Sequence, residues 1–151
     1  MSFERVKEIL TQLTKEHIIL LKEVEDLENQ LEKNFSEEVL NRALSFIQEK
    51  VSKHAHIEEN DLDEALQEAG ITDFDIDALN FGHRTLDEIA EHFEFLVNLY
   101  KKGEREYRGK DLQKEIVKTF HEFAQTLKDH FTEEEHFFFP DILKYDLERF
   151  E

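Results

Sequence analysis

Cysteine is absent from this chain of 151 residues, proline occurs once and glycine four times. Without cysteine there is no disulfide, no thiolate ligand, no iron–sulfur cluster and no thiol redox chemistry. With so little proline and glycine, there are few points at which a helix is forced to break. No stretch approaches the roughly 20 consecutive apolar residues of a membrane-spanning helix. The amphipathic start, Met1 to Glu8, has no unbroken apolar run of the kind a secretion signal needs. Positive charge is also scarce, with 19 Lys and Arg against 37 Asp and Glu for a formal net charge of −18. Nucleic acid and anionic membrane surfaces repel such a chain, so neither is an expected partner. A cytoplasmic location is the simplest expectation.

What remains is a helical pattern. A hydrophobic fraction of 39% with a mean hydropathy of −0.65 suits a small bundle with charged outer faces, and the length fits one domain over residues 1–151. A first stripe runs Val6, Leu10, Leu13, His17, Leu20, Val24, Leu27, Leu31 at three-four spacing, with Asn34 placed to end it. Ser36 followed by Glu37 and Glu38 reads as an N-cap with acids in the first turn. The second stripe is Leu40, Leu44, Ile47, Val51, His54, Glu58, Leu62, Ala65, closed by Gly70. Thr72 with Asp75 resembles a capping box for a third helix through Ile76, Leu79, His83, Leu86, Ala90, Phe93, Val97 and Tyr100, ended by Gly103. After a polar loop from Glu104 to Lys110, the fourth helix carries Leu112, Ile116, Phe120, Phe123, Leu127, His130, Glu134 and Phe137. Pro140 is expected to interrupt it, leaving Asp141 to Glu151 as a short terminal helix. The expected fold is all-α, an up-down-up-down antiparallel four-helix bundle with a short C-terminal helix.

Two segments stand out within that frame: His54-Ala55-His56-Ile57-Glu58 and His130-Phe131-Thr132-Glu133-Glu134. Each puts an imidazole and a carboxylate one turn apart on one helix face. His17 and His83 lie in the stripes of the other two helices, and counting tests whether all four histidines share a level. His17 lies about 16 residues before the first turn and His54 about 17 after it; His83 lies about 19 before the end of its helix and His130 about 20 into the next. The match across the second turn is looser, about 14 residues against 10. The other histidines act as a control. At about 100° per residue, His56, His92, His121 and His136 fall about 180–200° from the inward positions and read as surface residues.

A buried hydrogen-bonded network without metal is the plainer reading of any one inward histidine. Two glutamates and four histidines in one apolar layer are harder to explain so, because uncompensated buried carboxylates are very costly. Imidazole and carboxylate ligands without sulfur suit iron first, manganese second, and zinc. Six ligands exceed what a single tetrahedral zinc needs, and two glutamates able to bridge favour a pair of metals.

The pattern His17, His54-x-x-x-Glu58, His83, His130-x-x-x-Glu134, with the Phe138-Phe139-Pro140 ending, resembles the hemerythrin-like (HHE cation-binding) family along essentially the whole chain. The resemblance implies two non-haem iron ions with an oxo or hydroxo bridge, and Glu58 and Glu134 as bridging carboxylates. It further implies His54 and His83 on one iron and His17 and His130 on the other. Oxygen-carrying hemerythrins have a second histidine one turn after the third-helix one, where this chain has Asp87. Their last ligand is an aspartate five residues after the fourth-helix histidine, whereas Glu134 comes four after. Those departures move the expectation from a reversible oxygen carrier toward the bacterial hemerythrin-like proteins.

Asp87, about 40° from His83, reads as a further ligand, as an acceptor behind one, or as a solvated residue beside the stripe. Glu59, Glu133 and Glu135 read as solvated or supporting groups. Phe120, Phe123, Phe131, Phe137 and Phe138 read as plain core or as walls of a dry pocket. Three functions fit: a binder of O2 or NO for sensing, delivery or scavenging; a redox enzyme of peroxidase, oxidase or NO-reducing type; and an iron-handling or structural metal protein. The expected small partner is a diatomic ligand or peroxide.

Overall fold

A computed structural model describes residues 3–148. Four long helical segments make the bundle, and each boundary has a local cause. The first helix, Glu4–Lys33, ends where the Asn34 N–H donates to the Gln30 carbonyl at 2.8 Å. Ser36 opens the second, its hydroxyl accepting the Val39 N–H, with Glu37 and Glu38 against the positive end of the helix dipole. That segment closes at Gly70, whose φ of 78° lets the Ile71 N–H reach back to the Leu66 carbonyl at 2.9 Å.

The third helix is Ile76–Lys101 and its cap differs from the capping box expected of Thr72. Asp75 itself is the N-cap, accepting the Ala78 N–H at 3.0 Å. Ile71 is buried in the core and holds residues 72–74 outside the helix, so the first free N–H groups come later in the chain. The expected polar loop at 104–110 is partly ordered as a hairpin, Glu106–Tyr107 pairing with Lys110–Asp111. Arg108 and Gly109 have φ values of 51° and 77°, the left-handed pair that a two-residue hairpin turn of matching twist requires. Asp111 then caps the fourth helix, Leu112–Glu133, by accepting the Lys114 N–H.

Pro140 does not interrupt the fourth helix. The chain passes from Leu112–Glu133 through a π-helical turn, Glu134–Phe138, into Phe139–Glu148, so the C-terminal helix continues its predecessor. A proline ring clashes with the carbonyl four residues back, and a widened turn just before it relieves that conflict. Residues 149–151 of the expected terminal helix lie outside the described residues. The second helical segment is also uneven. Its α-helical parts, Glu37–Ser45, Ser52–His56 and Asp63–Glu68, are separated by π-helical Phe46–Val51 and Ile57–Leu62. Glu58 and Glu134 each fall at the start of a π-helical turn, a geometry often found where function interrupts a helix.

Two apolar clusters fill the bundle, one at each end. One joins Leu20, Val24, Leu27 and Leu31 to Leu40, Val51, Leu86, Phe93, Ile116 and Leu127. The other joins Val6, Leu10 and Leu13 to Ile57, Leu62, Leu79, Phe139 and Ile142. The first and third helices leave the second cluster for the first, whereas the second and fourth run the other way. That is the antiparallel up-down-up-down arrangement, and it leaves one layer of the core for His17, His54, Glu58, His83, His130 and Glu134. No described helix is long and apolar enough to cross a membrane.

Candidate metal centre

All six inward residues of the sequence pattern meet in that layer. Glu58 and Glu134 are 0% exposed, and the four histidines are buried with them. The imidazole Nε2 atoms face the carboxylates: Glu58 Oε1 is 2.9 Å from His54 Nε2 and 3.7 Å from His83 Nε2. Glu134 Oε1 is 3.2 Å from His17 Nε2 and 3.6 Å from His130 Nε2. Each glutamate thus stands between one histidine of the first or second helix and one of the third or fourth.

The potential ligand atoms form two overlapping groups, His17, His54, Glu58 and Glu134, and Glu58, His83 and His130, each with its atoms within 4.8 Å of one another. These groups cut across the pairing that the resemblance implies, of His54 with His83 and His17 with His130, whereas Glu58 lies between the first of those pairs and Glu134 between the second. The rings of His17 and His54 lie 4.9 Å apart, as do those of His83 and His130. Neighbouring helices bring these rings together, and Glu58 joins the two groups.

The donor set is unsatisfied as it stands. Both oxygens of Glu58 and of Glu134, with His83 Nε2 and His130 Nε2, are buried without a hydrogen-bond partner. Buried polar groups are almost always satisfied, and ionised carboxylates most of all. Imidazole nitrogens and carboxylate oxygens converging at this spacing can hold metal ions, which fits the orphaned atoms.

Electrostatics divide the histidines. Burial pushes His17 down to about 3, with the charge of His54 adding to the effect. Burial likewise pushes His130 down to about 4, against the attraction of Glu58. Burial also opposes charge on His54 and His83, but Glu58 outweighs it at both, helped by Glu16 and Glu59 respectively, and both are raised. Glu58 is held down at about 2 because His54 and His83 overcome the cost of its burial. In the metal-free layer Glu58 thus favours charge on His54 and His83, while burial disfavours it on His17 and His130 and leaves those rings available as nitrogen ligands.

Carboxylates at the helix seams hold the outer ring nitrogens. His54 Nδ1 is 2.8 Å from Glu16 Oε1, His83 Nδ1 is 2.9 Å from Glu59 Oε1, and His17 Nδ1 is 3.6 Å from Glu135 Oε1. Such partners orient an imidazole and raise its basicity as a ligand. Glu59 and Glu135 fit the supporting role read from sequence, and Glu133 is exposed. Glu16 is new. Its signal is adjacency: Glu16 precedes His17, Glu59 follows Glu58 and Glu135 follows Glu134, so each emerges about 100° from the core stripe at a seam between helices.

Asp87 is exposed and belongs to neither group of ligand atoms; it lines the mouth of a cavity beside His83. One turn beyond His83 the helix has already carried this position away from the bundle axis. His56, His92 and His136 are exposed, and His121 is bonded at the surface between Glu28 and Glu32. Phe120, Phe123 and Phe131 are buried, Phe138 is partly buried, and Phe137 is 64% exposed and walls nothing. Phe131 stacks on His17 with centroids 3.9 Å apart. Gly82 was not singled out by any spacing, yet a Cβ built there would lie 2.3 Å from His130 Nδ1. Only a residue without a side chain lets the third helix close on that ring.

No protein-family model, curated protein or solved structure matches the chain.

Proposed function

We propose that this chain is a hemerythrin-like diiron protein that binds O2 or NO in its bundle core, for sensing, delivery or scavenging. The observation that carries the reading is the pair of fully buried glutamates, their oxygens without a well-directed hydrogen bond though imidazole nitrogens stand 2.9 to 3.7 Å away. Two ferrous ions held there would supply the electrons that a diatomic ligand needs to bind. His17, His54 and Glu134 would hold one ion and His83 and His130 the other, with Glu58 shared. The second group offers fewer protein atoms and lies beside a cavity, which leaves room for a small ligand on that flank. The apolar clusters above and below keep bulk water from the layer.

A second reading, redox turnover of peroxide, oxygen or NO, draws support from Glu16, Glu59 and Glu135. Anionic partners on three imidazoles make the ligands more electron-rich and favour the oxidised metal. Loading the chain anaerobically with Fe(II) and adding NO or air, with and without a reductant, separates the two. A stable, stoichiometric adduct spectrum is the expected result, and continued consumption of peroxide or NO with reductant would favour turnover. A chain that takes up zinc and iron alike and changes no spectrum with either gas would contradict both.

A further inference from the structure

A cavity of about 170 Å³ opens between the second, third and fourth helices on the flank of His83 and His130. Its floor is His54, His83 and His130, Leu86, Leu127, Phe123 and Phe131 are among the walls above it, and polar groups make up nearly half of its lining. Its mouth carries Ser52, Glu59 and Asp87, all exposed. A water molecule takes about 30 Å³ in the liquid, and an enclosed apolar cavity of about 150 Å³ is known to take benzene, whereas this one also opens to solvent and carries polar groups. The space is thus several times what a diatomic ligand fills.

Charge and hydrogen bonding narrow the class. No Lys or Arg lines the cavity, two carboxylates stand at its mouth, and the chain carries −18 overall, so anions are disfavoured. The Ser52 hydroxyl and the Asp87 carboxylate can accept a hydrogen bond at the rim. Two phenylalanine rings offer edges and faces to an aromatic guest.

We infer that this cavity is a binding site for a small, neutral, hydroxyl-bearing aromatic molecule of about the size of phenol. The ring lies among Leu86, Leu127, Phe123 and Phe131, and the hydroxyl donates toward Asp87 at the mouth. Such a guest would share the flank of the centre proposed above for a diatomic ligand. Its role there rests on that reading, but its occupancy does not, because the walls are formed by the chain itself.

The test is a titration of the full chain with phenol, metal-free and zinc-loaded, followed through the methyl NMR signals of Leu86 and Leu127. Saturable shifts at both leucines are expected, with benzoate binding at least tenfold more weakly than phenol. Ala90→Phe, which narrows the cavity from its half-buried wall, should weaken phenol at least tenfold. Asp87→Asn should bring benzoate closer to phenol. Shifts that do not saturate, that miss both leucines, or that survive Ala90→Phe unchanged would overturn the inference, as would benzoate binding as tightly as phenol. The wild-type leucine shifts localise the guest even where the Ala90 variant does not fold. Phenol binding by a chain that holds no metal would sink the metal reading alone, and metal uptake without phenol binding would sink this one alone.

Discussion

On one flank of the centre, Phe131 stacks on His17 with centroids 3.9 Å apart and Phe139 lies parallel at 5.9 Å. On the other, the rings of His83 and His130 meet a cavity, and the third helix approaches His130 only because position 82 is glycine. Both flanks use two histidines and draw on Glu58, so residue type alone does not separate them. What separates them is cover. On the His17 flank Glu134 stands at 3.2 Å and two phenylalanine rings stack on the imidazole, whereas on the other Glu134 is farther, 3.6 Å from His130, and the rings border open space. A centre built so can hold metal firmly on one side and remain open to a small molecule on the other.

Glu58 is the residue the flanks share, so its loss should have the largest effect. Glu58→Ala is expected to reduce bound metal to near none, read by elemental analysis after desalting. Retention of one full equivalent would mean that the flanks are independent. Gly82→Ala should act on the open flank only. The new methyl group would push His130 from its position and weaken the second metal by tenfold or more, leaving the His17 flank filled. Equal loss on both flanks would show a general packing defect of the kind overpacking causes. Glu16→Gln removes the charge behind His54 and should weaken metal on the covered flank by roughly tenfold, within the usual range for partners behind a ligand.

Protonation offers a finer comparison in the metal-free chain. Folded His17 and His130 resist protons that the unfolded chain binds at the ordinary value of 6.5, so stability falls as pH drops from there toward about 4 and 3. His54 and His83 are raised, so their contribution is complete below 6.5 and is lost as pH rises through their folded values. Urea unfolding of the metal-free chain should therefore show greatest stability near pH 6.5, and steady stabilisation from acid to alkaline pH would contradict the division of charge. The smallest effects belong to the outer histidines. His92→Ala and His136→Ala should leave metal content unchanged, and His121→Ala should cost at most about 1 kcal/mol through its surface pairs with Glu28 and Glu32.

Much of this centre was legible from spacing. His17, His54, Glu58, His83, His130 and Glu134 stand at core positions of three-four stripes, and the four outward histidines fail the same test. The looser match across the second turn is absorbed by the non-helical residues 69–75. The π-helical turns were not legible, because a locally widened turn leaves the next four-residue step in the pattern intact, as between His54 and Glu58. Pro140 misled for the same reason, since its cost depends on the turn before it. The grouping of His17 with His54 depends on which helices touch and how each is rotated, and a stripe carries neither. Gly82 matters through a neighbour on another helix, which no single-helix pattern records. Arg108-Gly109 did carry a local signal, a glycine placed to take positive φ between two short extended segments.

Whether this layer holds two metal ions is read from anaerobic titration of the metal-free chain with Fe(II). Saturation at two equivalents per chain is expected, with a rise in Tm as the buried carboxylates are neutralised. Saturation at one equivalent, or uptake with no change in Tm, would contradict the two-metal reading.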